Sequence, residues 1–144
     1  MTARRTVSLA VGPLVAIALV ASACSKRSAA VGPTPTASAR PSSPARLIIL
    51  SPTNGQVING STVKIRVALT GAKIVPATTT HIVPTEGHIH VYVDNQIAGM
   101  NFQLTDEIGS VTPGMHVLRV EFVASDHLPW DPRIFSQVTF EVKP

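Results

Sequence analysis

From Arg46 to Pro144 apolar and polar residues alternate with a period of two, the repeat of a strand that buries one face and wets the other. Val63, Ile65, Val67 and Leu69 alternate with Lys64, Arg66 and Ala68, which predicts a strand over Thr62–Leu69. The same rhythm predicts strands at Arg46–Leu50, Gly87–Asp94, Met115–Ala124 and Ile134–Val142. A short strand is expected near Ile108–Val111, and Ile97–Leu104 reads as a less regular segment. Two Asn-Gly pairs, Asn54-Gly55 and Asn59-Gly60, mark turns between the first two strands, and Asp94-Asn95 marks another. No stretch carries a convincing helical period. About seven short strands in about one hundred residues predict an all-β, immunoglobulin-like antiparallel β-sandwich.

The chain before Arg46 has a different character. Arg4 and Arg5 precede an apolar run from Val7 to Ala23, so residues 1–23 read as an export signal peptide. ASAC at Ala21–Cys24 resembles the lipobox of bacterial lipoproteins, which implies lipidation of Cys24, a membrane anchor and a place on the outer face of the bacterial membrane. Residues 24–45, rich in Ser, Ala, Pro and Thr, lack the large apolar side chains that would offset chain entropy, and read as a disordered tether. Cys24 is the one cysteine, so the domain from 46 to 144 forms no internal disulfide and depends on its core, or on a ligand.

Charge narrows the partners. The full chain has a net charge of +4, but Arg4, Arg5, Lys26, Arg27 and Arg40 lie ahead of the domain. From Arg46 onward seven Lys and Arg face eight Asp and Glu, a net of minus one. A nucleic-acid partner, which requires clustered basic surface, is not expected.

The candidate chemistry is in the histidines. Residues two apart on a strand project to one side, so His88 and His90 of GHIHVYVD point together, away from Ile89, Val91 and Val93. If this strand runs antiparallel beside Met115–Ala124, the start of one meets the end of the other, and His127 falls at the same pole. Three imidazoles there would suit copper or zinc, with His81, Asp126 and Asp131 as candidate extra ligands. The alternative is that His88 and His90 are half-exposed strand residues bonded to the neighbouring loop, while Asp126 and Asp131 shape turns beside Pro129 and Pro132. Met100 is a candidate soft ligand for Cu(I) or a filler of a gap in the core. His116 shares the phase of Leu118, Val120 and Phe122 and lies about 25 Å from the cluster along its strand, which predicts a buried hydrogen-bonding corner instead of a ligand.

Trp130, between Pro129 and Asp131, reads either as an exposed anchor for a protein or glycan partner or as a cover over the end of the sandwich. The chain holds no nucleophile in a strained turn, no phosphate-binding glycine loop and no paired carboxylates, so an enzyme is not expected. An Ig-like binding module of uncharacterised role is the leading expectation, with copper or zinc at the His88, His90 and His127 pole as its candidate ligand. The others are a metal-independent recognition module and a structural appendage of an envelope assembly.

The order SPTNG at Ser51–Gly55, Gly71 with Val75 and Pro76, GHIH at Gly87–His90 with Asp94, PGMHVL at Pro113–Leu118 and DHLPWDP at Asp126–Pro132 resembles a family of small bacterial extracytoplasmic domains of unknown function. That family is Ig-like and is marked by a GHHH-type strand. The resemblance spans nearly the whole domain and implies the sandwich fold. It departs at Ile89, the middle of the histidine triplet, and over Gln96–Glu107, which has no histidine; both departures thin the ligand set the family pattern would offer.

Overall fold

The computed structural model describes residues 39–144; the signal segment, Cys24 and the tether up to residue 38 lie outside the described residues. Nine strands are formed: β1 (Arg46–Ser51), β2 (Gln56–Asn59), β3 (Val63–Thr70), β4 (Lys73–Ile74), β5 (Glu86–Val93), β6 (Gln96–Asn101), β7 (Thr105–Ile108), β8 (Gly114–Ala124) and β9 (Pro129–Lys143). One sheet has the order β1-β3-β7; the other runs β2-β9-β8-β5-β4, with β6 also paired to β5. The protein is an all-β, Ig-like sandwich.

The predicted alternation places the core. Leu47 and Ile49 of β1 and Val63, Ile65 and Val67 of β3 face Ile89 and Val91 of β5, Leu118, Val120 and Phe122 of β8, and Phe140 and Val142 of β9. Each is buried, and burial of such side chains contributes roughly 1.5–3 kcal/mol apiece before entropy is counted.

The expected short strand lies at Thr105–Ile108 (β7), ahead of Ile108–Val111, and the short β2 and β4 have no counterpart in the sequence expectation. Four larger features also differ from it. Two pairings are parallel, β2 with β9 and β4 with β5, so the sandwich is not wholly antiparallel. The segment after Asp94 is a true strand, β6, made irregular by a bulge: Val91 pairs with Gly99, but Tyr92 pairs with Ile97. One extra residue reverses the facing of all that follows it, so Ile97 and Met100 emerge on the same side and no alternation is visible. The strand β9 reaches back to Pro129, through the prolines that read as a loop. Its register jumps there, Val123 facing Pro129 but Phe122 facing Ile134, so Trp130–Arg133 bulge out of the ladder.

The fourth difference is the domain boundary. Residues 40–45 belong to the fold and not to a disordered tether. Arg40 reaches the β8–β9 turn through Asp126 at 2.6 and 3.0 Å, Pro129 O at 3.0 Å and Leu128 O at 3.2 Å. Pro41 O accepts the Asp131 amide at 3.1 Å, and Ala45 joins the core. Prolines and serines can be ordered by such fixed hydrogen bonds with no apolar burial of their own, which composition does not reveal.

At the end of the sandwich away from the histidine pair, Asp94 and Asn95 take positive φ values of 51° and 65°, the conformation of a two-residue hairpin turn. Asp94 accepts the Val117 amide at 2.9 Å and meets His116 Nδ1 at 2.7 Å, while His116 Nε2 bonds Thr112 O at 2.8 Å. His116 therefore forms the hydrogen-bonded corner its phase predicts, but half-buried instead of buried. The Asp94 hydrogen bond raises the His116 pKa, and the Val117 amide, then His116, lowers that of Asp94.

Candidate metal centre

The strand β5 presents His88 and His90 on the face turned away from the core, and both are buried there. Gly87 makes this start of β5 possible: a Cβ at that position would stand 2.0 Å from Val123 O and 2.9 Å from the Phe122 ring. Because Gly87 pairs with Ala124, the last residue of β8, the turn that follows β8 rises over His88. In that turn His127 donates its amide to Ala124 O at 2.9 Å and holds a positive φ of 65°, which swings its ring back over the strand pair.

Three ring nitrogens converge. His88 Nε2 lies 2.8 Å from His127 Nδ1 and 3.2 Å from His90 Nε2, and His90 Nε2 lies 3.3 Å from His127 Nδ1. A metal about 2.0–2.1 Å from each of three nitrogens holds them about 2.9 Å apart at right angles and about 3.3 Å apart at tetrahedral angles. The observed triangle falls in this range, so three imidazoles on two elements already stand as a tripod.

The surroundings orient the rings. Thr78 Oγ1 is 3.0 Å from His127 Nε2; when that nitrogen donates, the Nδ1 lone pair is left facing the cluster. Thr79 donates its amide to Ser125 O at 3.0 Å, fixing the loop from Val75 to Thr85 against the His127 turn. The His90 Nδ1 lies 3.4 Å from the Tyr92 hydroxyl, and Arg119 stacks over the Tyr92 ring at 4.3 Å. Phe102 covers His88 with ring centroids 5.4 Å apart. The His88 Nδ1 is buried with no hydrogen-bond partner.

Burial keeps the His88 and His90 rings neutral. Burial, then the neighbouring His127 and His90, push the His88 pKa down to about 4. Burial and His127 lower that of His90 as well, against an opposing pull from Glu121. At neutral pH both rings are uncharged and each has one nitrogen without a proton, which is the state a metal requires.

The candidate extra ligands do not join this group. His81 and Asp131 are exposed, and among the described residues the set whose ligand atoms lie within 4.8 Å of one another is His88, His90 and His127. Asp126 is adjacent in sequence, but its carboxylate is gripped by the two terminal Arg40 nitrogens, which holds its pKa below the usual carboxylate range. The Arg40 bonds thus clamp the residue before His127. A protein cut at Arg46 lacks this clamp, and compared with one beginning at Ser25 it is expected to melt lower, by about 1–2 kcal/mol of stability, and to bind metal more weakly. Equal melting and equal binding would show that the strap is passive.

For two residues the structure bears on alternatives that the sequence left open. Trp130 is only 1 % exposed and stacks on Phe122 at 6.2 Å, so it is a core residue and offers no partner an anchor. The register jump in β9 turns it inward. Met100 is 55 % exposed and pairs across the ladder with His90, on the histidine face and not in the core. Thr78, Phe102 and Arg40 carry no signal in the sequence that would have drawn them to the site.

No protein-family model matches the chain, and no curated protein matches it. Among solved structures it is similar to the fibronectin(III)-like modules of Clostridium thermocellum CbhA, with 18 % identity over 67 % of this chain and 94 % of that one, at a TM-score of 0.49. A PKD domain of human KIAA0319 shares 12 % identity over 78 % of this chain and 93 % of its own, at a TM-score of 0.43. CopC from Methylosinus trichosporium OB3b shares 17 % identity over 69 % of this chain and 95 % of its own, at a TM-score of 0.39. At such identities and scores these similarities carry no information about a ligand or partner. The fold rests on the strand pairing, and the site rests on its own geometry.

Proposed function

We propose that this protein is a lipid-anchored, extracytoplasmic binding domain that takes one copper or zinc ion through His88, His90 and His127. The observation that carries the reading is the convergence of three imidazole nitrogens, 2.8–3.3 Å apart, from two separate elements. Buried rings held this close are an awkward arrangement for a fold with no use for them: their nitrogens can share few protons, and His88 Nδ1 is left unpaired. A bound cation turns all three lone pairs to use.

The export signal and the Cys24 lipobox support the placement at the membrane. The metal-independent recognition reading has lost its anchor with the burial of Trp130. A role in binding, and not in catalysis, accords with the carboxylates beside the site, both engaged by arginines and so poorly placed to act as a general base.

Calorimetric titration of Cu(II) and Zn(II) into soluble protein beginning at Ser25 tests the reading. One-to-one binding is expected, weakened at least about 100-fold in the His88→Ala/His127→Ala double variant, as loss of two of three ligands requires. Equal binding by both proteins, or none by either, would overturn it.

A further inference from the structure

We infer that the ion this site is built for is Cu(I), with the Met100 thioether as fourth ligand to the three imidazoles. The inference rests on the metal-binding reading above and names the ion. It is carried by two independent features of the surroundings, the missing negative charge and the place of Met100.

The first is charge. The ligand set is three neutral imidazoles. The two carboxylates adjacent to it, Asp126 before His127 and the fully buried Glu121 across the ladder from His90, are each paired with an arginine: Asp126 with Arg40 at 2.6 and 3.0 Å, and Glu121 with Arg133 at 2.7 and 2.6 Å. An ion entering this buried cradle finds no protein anion free to ligate it. The cost of placing charge in a low-dielectric surrounding grows with the square of that charge, so a divalent ion is penalised about four times as heavily as a monovalent one. A divalent ion would have to bring hydroxide or another anion from solvent. Cu(I) needs none.

The second is Met100. In an antiparallel ladder residues directly opposite one another share a face, with Cβ atoms about 4.5–5.5 Å apart. Met100 is opposite His90 and so stands on the histidine face. The bulge between Val91 and Tyr92 makes this so, because it shifts the phase of β6 such that the outward positions on either side of it are Ile97 and Met100. A methionine side chain has three soft torsions, and this one is 55 % exposed, unconfined by the core. Thioether sulfur is a soft donor that selects Cu(I) over Zn(II) and Cu(II). Phe102, two residues further along β6, lies against His88 and adds an apolar wall that disfavours the more highly charged ion. The three nitrogens form a triangle 2.8–3.3 Å on a side, so a tetrahedral ion bound to all three would keep one coordination position for a fourth ligand.

The test is anaerobic competition between soluble protein and a chromogenic Cu(I) chelator, alongside Zn(II) and Cu(II) titrations, for the natural chain, Met100→Leu and His127→Ala. Protein beginning at Ser25 is used so that the Cys24 thiol does not compete for copper. Met100→Leu keeps the volume and loses the sulfur; it is expected to weaken Cu(I) by about tenfold or more and to change Zn(II) by less than about threefold. X-ray absorption of the Cu(I) protein should show a sulfur neighbour that Met100→Leu lacks. Unchanged Cu(I) affinity with no sulfur neighbour would overturn the assignment of Met100 while leaving the three-histidine site intact. If His127→Ala binds every ion as tightly as the natural chain, the metal reading itself fails, and this inference with it.

Discussion

Trp130→Ala is expected to cost the fold about 3–5 kcal/mol, the range for removing a large buried aromatic side chain. The indole is 1 % exposed, stacked nearly parallel to Phe122 at 6.2 Å, and belongs to the core cluster. For a domain of this size such a loss lowers the melting temperature by well over 10 °C, at about 4–8 °C per kcal/mol. Trp130→Phe should fall much closer to the natural protein, since it keeps most of the apolar surface and removes an indole N–H that is buried with no partner. Chemical denaturation of the three proteins measures this. A Trp130→Ala protein as stable as the natural one would mean that the side chain is not in the core, and would reopen its role as an exposed anchor.

Acid should act strongly on the metal-free protein. His88 has its folded-state pKa lowered from 6.5 to about 4 by burial and by its two histidine neighbours. Above pH 6.5 the ring is neutral in both folded and unfolded chains, and its titration adds nothing. As the pH falls below 6.5 the unfolded chain takes up the proton first, so stability is lost progressively down to about pH 4, where the folded ring also protonates. The loss from His88 is on the order of 3 kcal/mol, with a further loss from His90, whose pKa is lowered by burial and then by His127.

His116 works in the opposite sense. Its raised pKa contributes stability at pH below 6.5, and that contribution fades as the pH rises through its folded-state value. Urea melts at pH 7, 5.5 and 4.5 of the natural protein, His88→Gln and His116→Gln separate the two. His88→Gln should flatten the acid loss, and His116→Gln should steepen it. An acid profile unchanged by His88→Gln would mean that the ring is not held neutral by its surroundings. Metal should oppose the same loss until protons compete for the ligand nitrogens.

The parts of the molecule that were legible in the sequence are those governed by the two-residue period. The alternation in Val63–Leu69 and His116–Phe122 gives the faces of β3 and β8, and with them the two-sheet core. His88 and His90 share a face for the same reason. Their meeting with His127 follows once β5 and β8 are antiparallel neighbours, because the observed pairing of Gly87 with Ala124 brings the start of one strand to the end of the other.

What was not legible depends on shifts of register and on long-range hydrogen bonds. The bulge in β6 hid a strand and disguised the facing of Met100. The jump in β9 turned Trp130 inward from a segment whose prolines read as loop. Arg40 is one charged residue in a stretch whose composition suggests disorder, and only the folded turn shows it two carbonyls and a carboxylate. Asp126 looked like a ligand because it precedes His127, but the same clamp takes it out of the donor set.

The central claim is that His88 Nε2, His90 Nε2 and His127 Nδ1 hold one metal ion together. X-ray absorption at the metal edge of protein loaded with a single equivalent of copper tests it most directly. The account predicts three imidazole nitrogens in the first shell at about 2.0 Å, reduced to one in the His88→Ala/His127→Ala variant. A first shell of oxygens with at most one imidazole, or a spectrum unchanged in the variant, would contradict it.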